Sequence, residues 1–277
     1  MGGNTFSLSD RMKRYELSSK LYLPRRVPVV MRLDGRAFHT YTKGMRKPFD
    51  EILMAVMQNT MLSMCKELQG CVFGYTQSDE ITFVLTDYAT PTTDAWFDYG
   101  VQKMTSIAAS MATAAFARAF SEELDGCIAS YSSDTQADKE EWDYLMSMDG
   151  KRFGATFDAR VFSVPRDEVC NNLIQRQNDA VRNSIEALAQ TLFSQAALTG
   201  KNCIQVQDML WSQYGINWND LPTDQKRGAC CYRTKKREQM CDLHDPSKTV
   251  IVSRRPWVID RDPPIFSRER DYVERWL

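Results

Sequence analysis

Histidine is nearly absent from this chain: His39 and His244 are the only two in 277 residues. Eight cysteines are present but none falls in a Cys-x-x-Cys pair, and Cys230 and Cys231 are adjacent. No compact zinc ligand set forms from that inventory, and the cysteines read as free thiols of a reducing, cytoplasmic setting. His244, in Leu243-His244-Asp245-Pro246, reads as a surface turn. Also missing are apolar runs long enough to cross a bilayer, an apolar signal core after Met1-Gly2-Gly3-Asn4, internal repeats and low-complexity linkers. A myristoylation reading of Met1-Gly2 with Phe6 and Ser7 is too short a match to carry weight. A membrane partner is therefore not expected. Excess charge is lacking as well, with a net −1. A nucleic-acid partner would have to be held by local patches and not by a general field. The length suffices to bury a full core, with one domain and a C-terminal extension as the default.

Two segments carry most of the chemistry. Val29-Val30-Met31-Arg32-Leu33-Asp34-Gly35 is an apolar strand that stops at Asp34-Gly35, and residues 73–85 read as strand, polar turn, strand, with Asp79 at the turn. Carboxylates brought from two strand ends to one sheet edge bind divalent ions through oxygen, as a triphosphate substrate requires. Between them, Ile52, Leu53, Val56, Met57, Met61, Met64, Cys65 and Leu68 recur at helical spacing from Phe49 to Leu68, with Pro48 and Asp50 suited to the first turn. A second long helical stretch, about Asp94 to Leu124, precedes an apolar strand at Thr156 to Val164. Strand, helix, hairpin, helix, strand is the split βαβ, ferredoxin-like order of a polymerase palm, an α+β fold with helices packed on an antiparallel sheet. A right-handed crossover sets the Asp79 hairpin beside the first strand.

The blocks Arg32-Leu33-Asp34-Gly35-Arg36-Ala37-Phe38-His39, Lys47-Pro48, Gln77-Ser78-Asp79-Glu80, Phe157-Asp158-Ala159-Arg160-Val161 and Arg176-Gln177-Asn178-Asp179 occur in this order. Together they resemble the successive motifs of the tRNA-His guanylyltransferase family and its guanylyltransferase-like relatives. Tyr214-Gly215-Ile216-Asn217-Trp218-Asn219 and Lys226-Arg227-Gly228 are similar to the family's C-terminal part. The resemblance implies nucleotide addition at the 5′ end of RNA in the 3′ to 5′ direction. A 5′-monophosphate is activated with ATP or GTP, or a 5′-triphosphate is used directly, and an incoming NTP then attacks through its 3′ hydroxyl. It implies two Mg2+ ions held by Asp34, Asp79 and the Gly35 carbonyl, with Asp34 and Asp79 catalytic. The nucleotide would be held by residues 34–39 (Asp34, Gly35, Arg36, Ala37, Phe38 and His39) with Ser78 and Asp79, and Lys47 would serve the triphosphate or the activation step. It also implies a homotetramer. Physically, Gly35 lets backbone approach phosphate, and the run Arg36 to His39 offers main-chain N–H groups and a cation. Glu80, next to Asp79 in the hairpin, points to the opposite sheet face, near the site but off the metals.

One departure bears on specificity. Where guanylate-adding members carry a His-Ile-Asn-Asn type motif, this chain reads Ala180-Val181-Arg182-Asn183, with Val181 at the histidine's place. That version resembles the guanylyltransferase-like proteins of bacteria and archaea, which implies template-dependent repair of truncated tRNA 5′ ends over obligate guanylate addition to tRNA-His. A non-catalytic tRNA-binding module and a palm-fold nucleotide cyclase are the alternatives; the paired aspartates argue against the first, and the Arg-Gln-x-Asp and Gly-Ile-Asn-Trp-Asn blocks against the second.

Further expectations concern RNA contact and the remaining segments. Basic residues cluster at 11–26 (Arg11, Lys13, Arg14, Lys20, Arg25, Arg26) and at 226–237 (Lys226, Arg227, Arg233, Lys235, Lys236, Arg237), each either a phosphate contact or a solvated face. Arg176 and Asn183 are further RNA-contact candidates. Tyr214, Trp218 and Tyr232 either stack on bases or, more in keeping with aromatics generally, pack in the core. Ala108 to Ala119 reads as a close-packing helix face. Asp134 to Asp149 reads as a solvated acidic loop or short helix, and Arg254 to Leu277, with Pro256, Pro263 and Pro264, as an irregular arm. Residues 1–200 form the expected palm-like catalytic domain with an N-terminal arm, and residues 201–277 a tRNA-contacting extension packed on it.

Overall fold

A computed structural model describes residues 6–131, 136–241 and 249–277, so Met1-Gly2, Asp134 and His244 lie outside the described residues. The chain begins with α1 (Leu8–Leu17), capped by the Ser7 hydroxyl, which accepts from the Asp10 N–H; no residue of α1 is buried. Strand β1 (Val29–Gly35) follows and then a single helical turn, α2 (Phe38–Tyr41). The apolar repeat after Pro48 forms α3 (Glu51–Glu67), whose N-cap Asp50 accepts from the Leu53 N–H at 3.0 Å. The polar turn separates β2 (Cys71–Gln77) from β3 (Glu80–Leu85). After a 3₁₀ turn at Trp96–Tyr99 come α4 (Val101–Ser130), α5 (Gln136–Met148) and β4 (Phe157–Ser163). Then α6 (Val169–Gln190), α7 (Gln195–Leu198), α8 (Cys203–Tyr214) and α9 (Thr223–Arg227) lead to β5 (Ala229–Arg233). A separate hairpin of β6 (Lys236–Cys241) and β7 (Thr249–Arg254), then β8 (Trp257–Asp260) and α10 (Asp271–Glu274), complete the described chain.

The main sheet runs β4-β1-β3-β2-β5-β8, with every neighbouring pair antiparallel. Its first four strands have the ferredoxin-like order expected of a palm, and β5 and β8 extend it at the β2 edge. Period-two alternation sorts the side chains onto two layers. Met31, Leu33, Ile81 and Phe83 face the α3–α4 layer, where Ala108, Ala112 and Ala119 let α4 come close to the Met57, Met61 and Met64 side of α3. Phe73, Tyr75 and Val84 face the other way, against Val169, Cys170 and Leu173 of α6 and Phe266 and Val273 near the C-terminus. The sheet face left open in a bare ferredoxin-like unit is thus covered by chain that follows the palm. Arg32, Asp34 and Glu80 share the parity of that second face.

Two sequence expectations are refined here. Of the two readings of the acidic segment after Asp134, the helix is the one that forms, but it is not merely solvated: α5 turns Leu145 and Met148 into the main core, because apolar residues three apart form a stripe that the surrounding acids conceal in composition. The segment after Arg254 is not an irregular arm. Trp257–Asp260 pair with β5 as the sheet's outer strand, and Phe266 and Val273 are buried. Trp218 and Tyr232 take the packing role, Trp218 donating to the Ser184 hydroxyl at 3.0 Å and Tyr232 stacking on Trp276. Seven of the cysteines are free thiols. Among the described residues no helix is long and apolar enough to cross a membrane.

Candidate active site

The ends of β1 and the β2–β3 turn are tied by one backbone bond: the Gly35 N–H donates to the Asp79 carbonyl at 3.0 Å. Asp34 lies in register with Glu80 on β3 and with Asp158 on β4. Asp34 and Asp79 therefore meet at one end of the sheet, as the two-strand argument required. Ser78 holds the tight turn at φ 51°, and its hydroxyl donates to the Asp79 carboxylate at 3.0 Å. The chain leaves β1 through Arg36, whose N–H donates to the Thr156 carbonyl at 2.8 Å, and through Ala37 in the left-handed region at φ 54°. Past that bend the N–H groups of Ala37, Phe38 and His39 have no backbone acceptor among the described residues, as expected of the first donors of a helical turn. Phe38 is different. Its ring is buried among Tyr41, Phe116 and Phe157, with centroids at 5.0, 5.8 and 5.4 Å, so its side chain anchors the loop and is not open to a ligand. A Cβ on Gly35 would stand 2.2 Å from that ring, and glycine is therefore required here for space.

The carboxylates differ in environment. Burial pushes the Asp79 carboxyl above its usual range, and the neighbouring Asp34 charge adds to the rise against the Ser78 hydroxyl and backbone bonds. Asp34 is half-exposed, with the Arg160 guanidinium 3.9 Å away and shared with Asp158 at 3.6 Å. Glu80 is also raised by burial, more than Arg176 and Arg32 lower it. Arg176 donates to Glu80 at 3.1 Å and to Asp179 at 2.6 Å, and Arg182 donates to Asp179 at 2.8 Å. Gln177, only 3 % exposed, donates to the Pro264 carbonyl and accepts from the Phe266 N–H. The Arg176–Asp179 block thus braces the hairpin and the C-terminal segment, and Arg176 is committed to carboxylates.

A cleft of about 150 Å³ opens beside Ser78, lined by Gln77, Phe49, Asn183, Gln225 and other residues. Asn183 and Gln225 are the polar groups that sequence reasoning did not bring to this point; the first was a candidate for RNA contact alone, and the second carried no signal. Val181 is partly buried, packed against the cluster of Ile185 and Leu210 between α6 and α8. Lys47 and His39 are exposed. Of the proposed RNA contacts, Lys226 is turned inward, donating to the Asn219 carbonyl, with burial lowering its ammonium. Arg227 is partly buried, while Arg233, Lys235 and Lys236 are exposed, Arg233 lying over the Trp257 ring. In the N-terminal patch Arg25 is spent on buried Asp87 and on Asp98, and Arg26 on the Thr90 and Pro91 carbonyls. Arg11, Lys13, Arg14 and Lys20 are exposed.

The donor set suits a hard cation. Asp34, Asp79 and the Gly35 carbonyl are all oxygen, and no group of three or more His, Cys, Asp or Glu side chains converges among the described residues. Mg2+ is held in this sparse way, by one or two carboxylates with the remaining positions taken by water and substrate phosphates.

Comparison with known proteins agrees with the fold. The family model for tRNAHis guanylyltransferase matches residues 9–165, more than half of the chain. A bacterial tRNA(His) guanylyltransferase-like protein solved in complex with ATP superposes with a TM-score of 0.77 at 37% identity, covering 98% of each chain. A bacterial guanylyltransferase-like protein in complex with GTP gives 0.72 at 38% identity, covering 98% of this chain and 99% of that one. A probable tRNA(His) guanylyltransferase of Dictyostelium discoideum is 26% identical over 78% of this chain and 79% of its own length. The chain belongs to the tRNA-His guanylyltransferase family and is a nucleotidyltransferase of it.

Proposed function

We propose that this enzyme adds nucleotides to the 5′ end of tRNA in the 3′ to 5′ direction, following the opposing strand of the acceptor stem as template. The observation that carries the reading is the pair Asp34 and Asp79 fixed at one sheet end by the Gly35–Asp79 bond, followed in the chain by three main-chain N–H groups without a backbone acceptor among the described residues and by an exposed Lys47. The bacterial relatives bound to ATP and to GTP support nucleoside triphosphates as ligands.

In this reading the N–H groups of Ala37, Phe38 and His39 and the Arg36 guanidinium receive triphosphate oxygens, Gly35 giving the room for their approach, and Lys47 serves the nucleotide that activates a 5′-monophosphate. Asp34, Asp79 and the Gly35 carbonyl would hold two Mg2+ ions, which supply charge neutralisation at the transferring phosphoryl and acidify the attacking 3′ hydroxyl. Ser78 orients the Asp79 carboxylate. The cleft beside Ser78, with Asn183 and Gln225, accommodates planar polar groups, and α6 presents Val181 to α8 and not to that cleft. No imidazole is therefore available on α6 to read a fixed base, and Watson–Crick pairing with the template supplies the selectivity. Arg233, Lys235 and Lys236, with Arg11, Lys13, Arg14 and Lys20, are the exposed cations that would meet tRNA phosphates. Leu8, Met12 and Tyr15, exposed on a helix with no buried residue, support assembly into the tetramer that the family likeness implies.

The test is nucleotide choice on 5′-truncated tRNAs whose opposing acceptor-strand base is changed to each of the four. Addition of the complementary nucleotide supports the reading. The family model's name favours the second reading, a dedicated guanylyltransferase, and addition of G whatever the template, on tRNA-His alone, would establish that instead. No addition with Mg2+ and any NTP would leave a non-catalytic tRNA-binding module.

A further inference from the structure

The helix α5 and the 3₁₀ turn after it, Asp149–Lys151, pack against the loop before α3, whose end from Pro48 to Asp50 lines the cleft beside Ser78. The loop from Thr42 to Asp50 carries exposed Lys47, which has no hydrogen-bond or ion-pair partner among the described residues. Both ends of that loop are held by this one segment. At the front, the Tyr41 hydroxyl donates to the Lys151 carbonyl at 2.8 Å and the Lys151 ammonium donates back to the Tyr41 carbonyl. At the back, the Tyr144 hydroxyl donates to Asp50, a 5 % exposed carboxylate that also accepts from the Arg46 N–H at 2.9 Å and the Leu53 N–H at 3.0 Å. The Arg46 side chain, adjacent to Lys47, lies 4.0 Å over the Tyr144 ring and pairs with Glu141 of α5. Leu145 and Met148 fasten α5 itself to the core.

We propose that α5 braces the Lys47 loop, with Tyr144 and Glu141 as positioning residues for activation of a 5′-monophosphate end. This rests on the reading that Lys47 serves the activating nucleotide. A lysine on an unbraced nine-residue loop samples many positions, and a cation aimed at a triphosphate acts only when it is held near its working geometry. Asp50 links the two: its carboxylate fixes the α3 N-terminus and the backbone just before Lys47, and Tyr144 fixes the carboxylate.

The experiment compares ATP-dependent activation of 5′-monophosphorylated RNA with nucleotide addition to 5′-triphosphorylated RNA, for Tyr144→Phe, Lys47→Ala, the double variant and Glu141→Gln. Tyr144→Phe should raise the KM for ATP in activation about tenfold, the scale of losing one hydrogen bond to a charged group, and leave triphosphate-RNA addition within about twofold. In the double variant it should add nothing to Lys47→Ala, because both act through one group. Glu141→Gln, at an exposed position where folding is not at stake, should shift the same KM in the same direction by about threefold. If Lys47→Ala raises the KM while Tyr144→Phe and Glu141→Gln do not, the brace is wrong and the role of Lys47 stands. Equal losses on both RNAs, or additive losses in the double variant, would make Tyr144 a general stability residue and overturn the proposal. If Lys47→Ala leaves activation intact, the reading of Lys47 fails and the brace falls with it.

Discussion

Asp79 and Glu80 are consecutive carboxylates in one turn, and their removal should have opposite effects. Glu80 is flanked by two largely buried guanidiniums, Arg176 at 3.1 Å and Arg32 at 3.9 Å, whose side chains are 14 % and 22 % exposed. The Arg32 Nε and Arg176 Nε have no hydrogen-bond partner, and only Asp179 would remain to compensate Arg176. Glu80→Ala therefore strands buried positive charge, which costs about 3–5 kcal/mol. The lower figure, roughly 3 kcal/mol, lowers the thermal midpoint of a chain this size by roughly 6–12 °C. Asp79→Ala removes a carboxylate that burial and the Asp34 charge already disfavour, so stability should be unchanged or slightly raised. Its activity should fall by about a hundredfold to a thousandfold, the usual scale for losing charge stabilisation at a transferring phosphoryl. Scanning calorimetry and single-turnover addition to a 5′-triphosphorylated RNA, run on both variants, give the two numbers independently. A folded Asp79→Ala with near-normal addition, or a Glu80→Ala as stable as the parent, would refute the division of roles.

Gly35→Ala should disable nucleotide use, because the new Cβ meets the Phe38 ring at 2.2 Å; adding Phe38→Leu should restore part of the activity by freeing that space, and no restoration would place the fault elsewhere. Gln177→Ala leaves the Pro264 carbonyl and the Phe266 N–H unpaired in a buried place, a cost of about 2–3 kcal/mol; limited proteolysis should then release the segment after Asp260 first, and uniform cleavage would contradict the anchor role. Burial raises the Cys65, Cys230 and Tyr75 groups far above their ordinary values. The folded state keeps these protons while the unfolded chain releases them, so stability is full below about pH 8.5 and falls as pH climbs above it. Urea midpoints between neutral and mildly alkaline pH should show this fall, reduced in Cys230→Ala. A flat profile would remove these groups from the linkage.

The residues that were legible in sequence are those whose signal is local. An apolar strand ending at Asp34-Gly35, a polar turn at Ser78-Asp79 and a three-to-four repeat after Asp50 each arise from backbone periodicity, turn chemistry and capping, which act within a few residues. They give the β1, β2–β3 and α3 elements, and with the crossover rule they place Asp34 beside Asp79. What the linear chain does not contain is any sign of partners far apart in it. Arg176 reads in sequence as an RNA contact, yet it binds Glu80 across 96 residues, because α6 covers the sheet face that carries Glu80. Lys226 reads as an exposed cation, but it lies within reach of the Asn219 carbonyl and is turned inward. The acidic segment after Asp134 looks solvated by composition; only packing shows that its apolar stripe enters the core and that Tyr144 and Lys151 close on the loop of Lys47. Local propensity decides which elements form, and the burial of their remaining faces decides which charges meet.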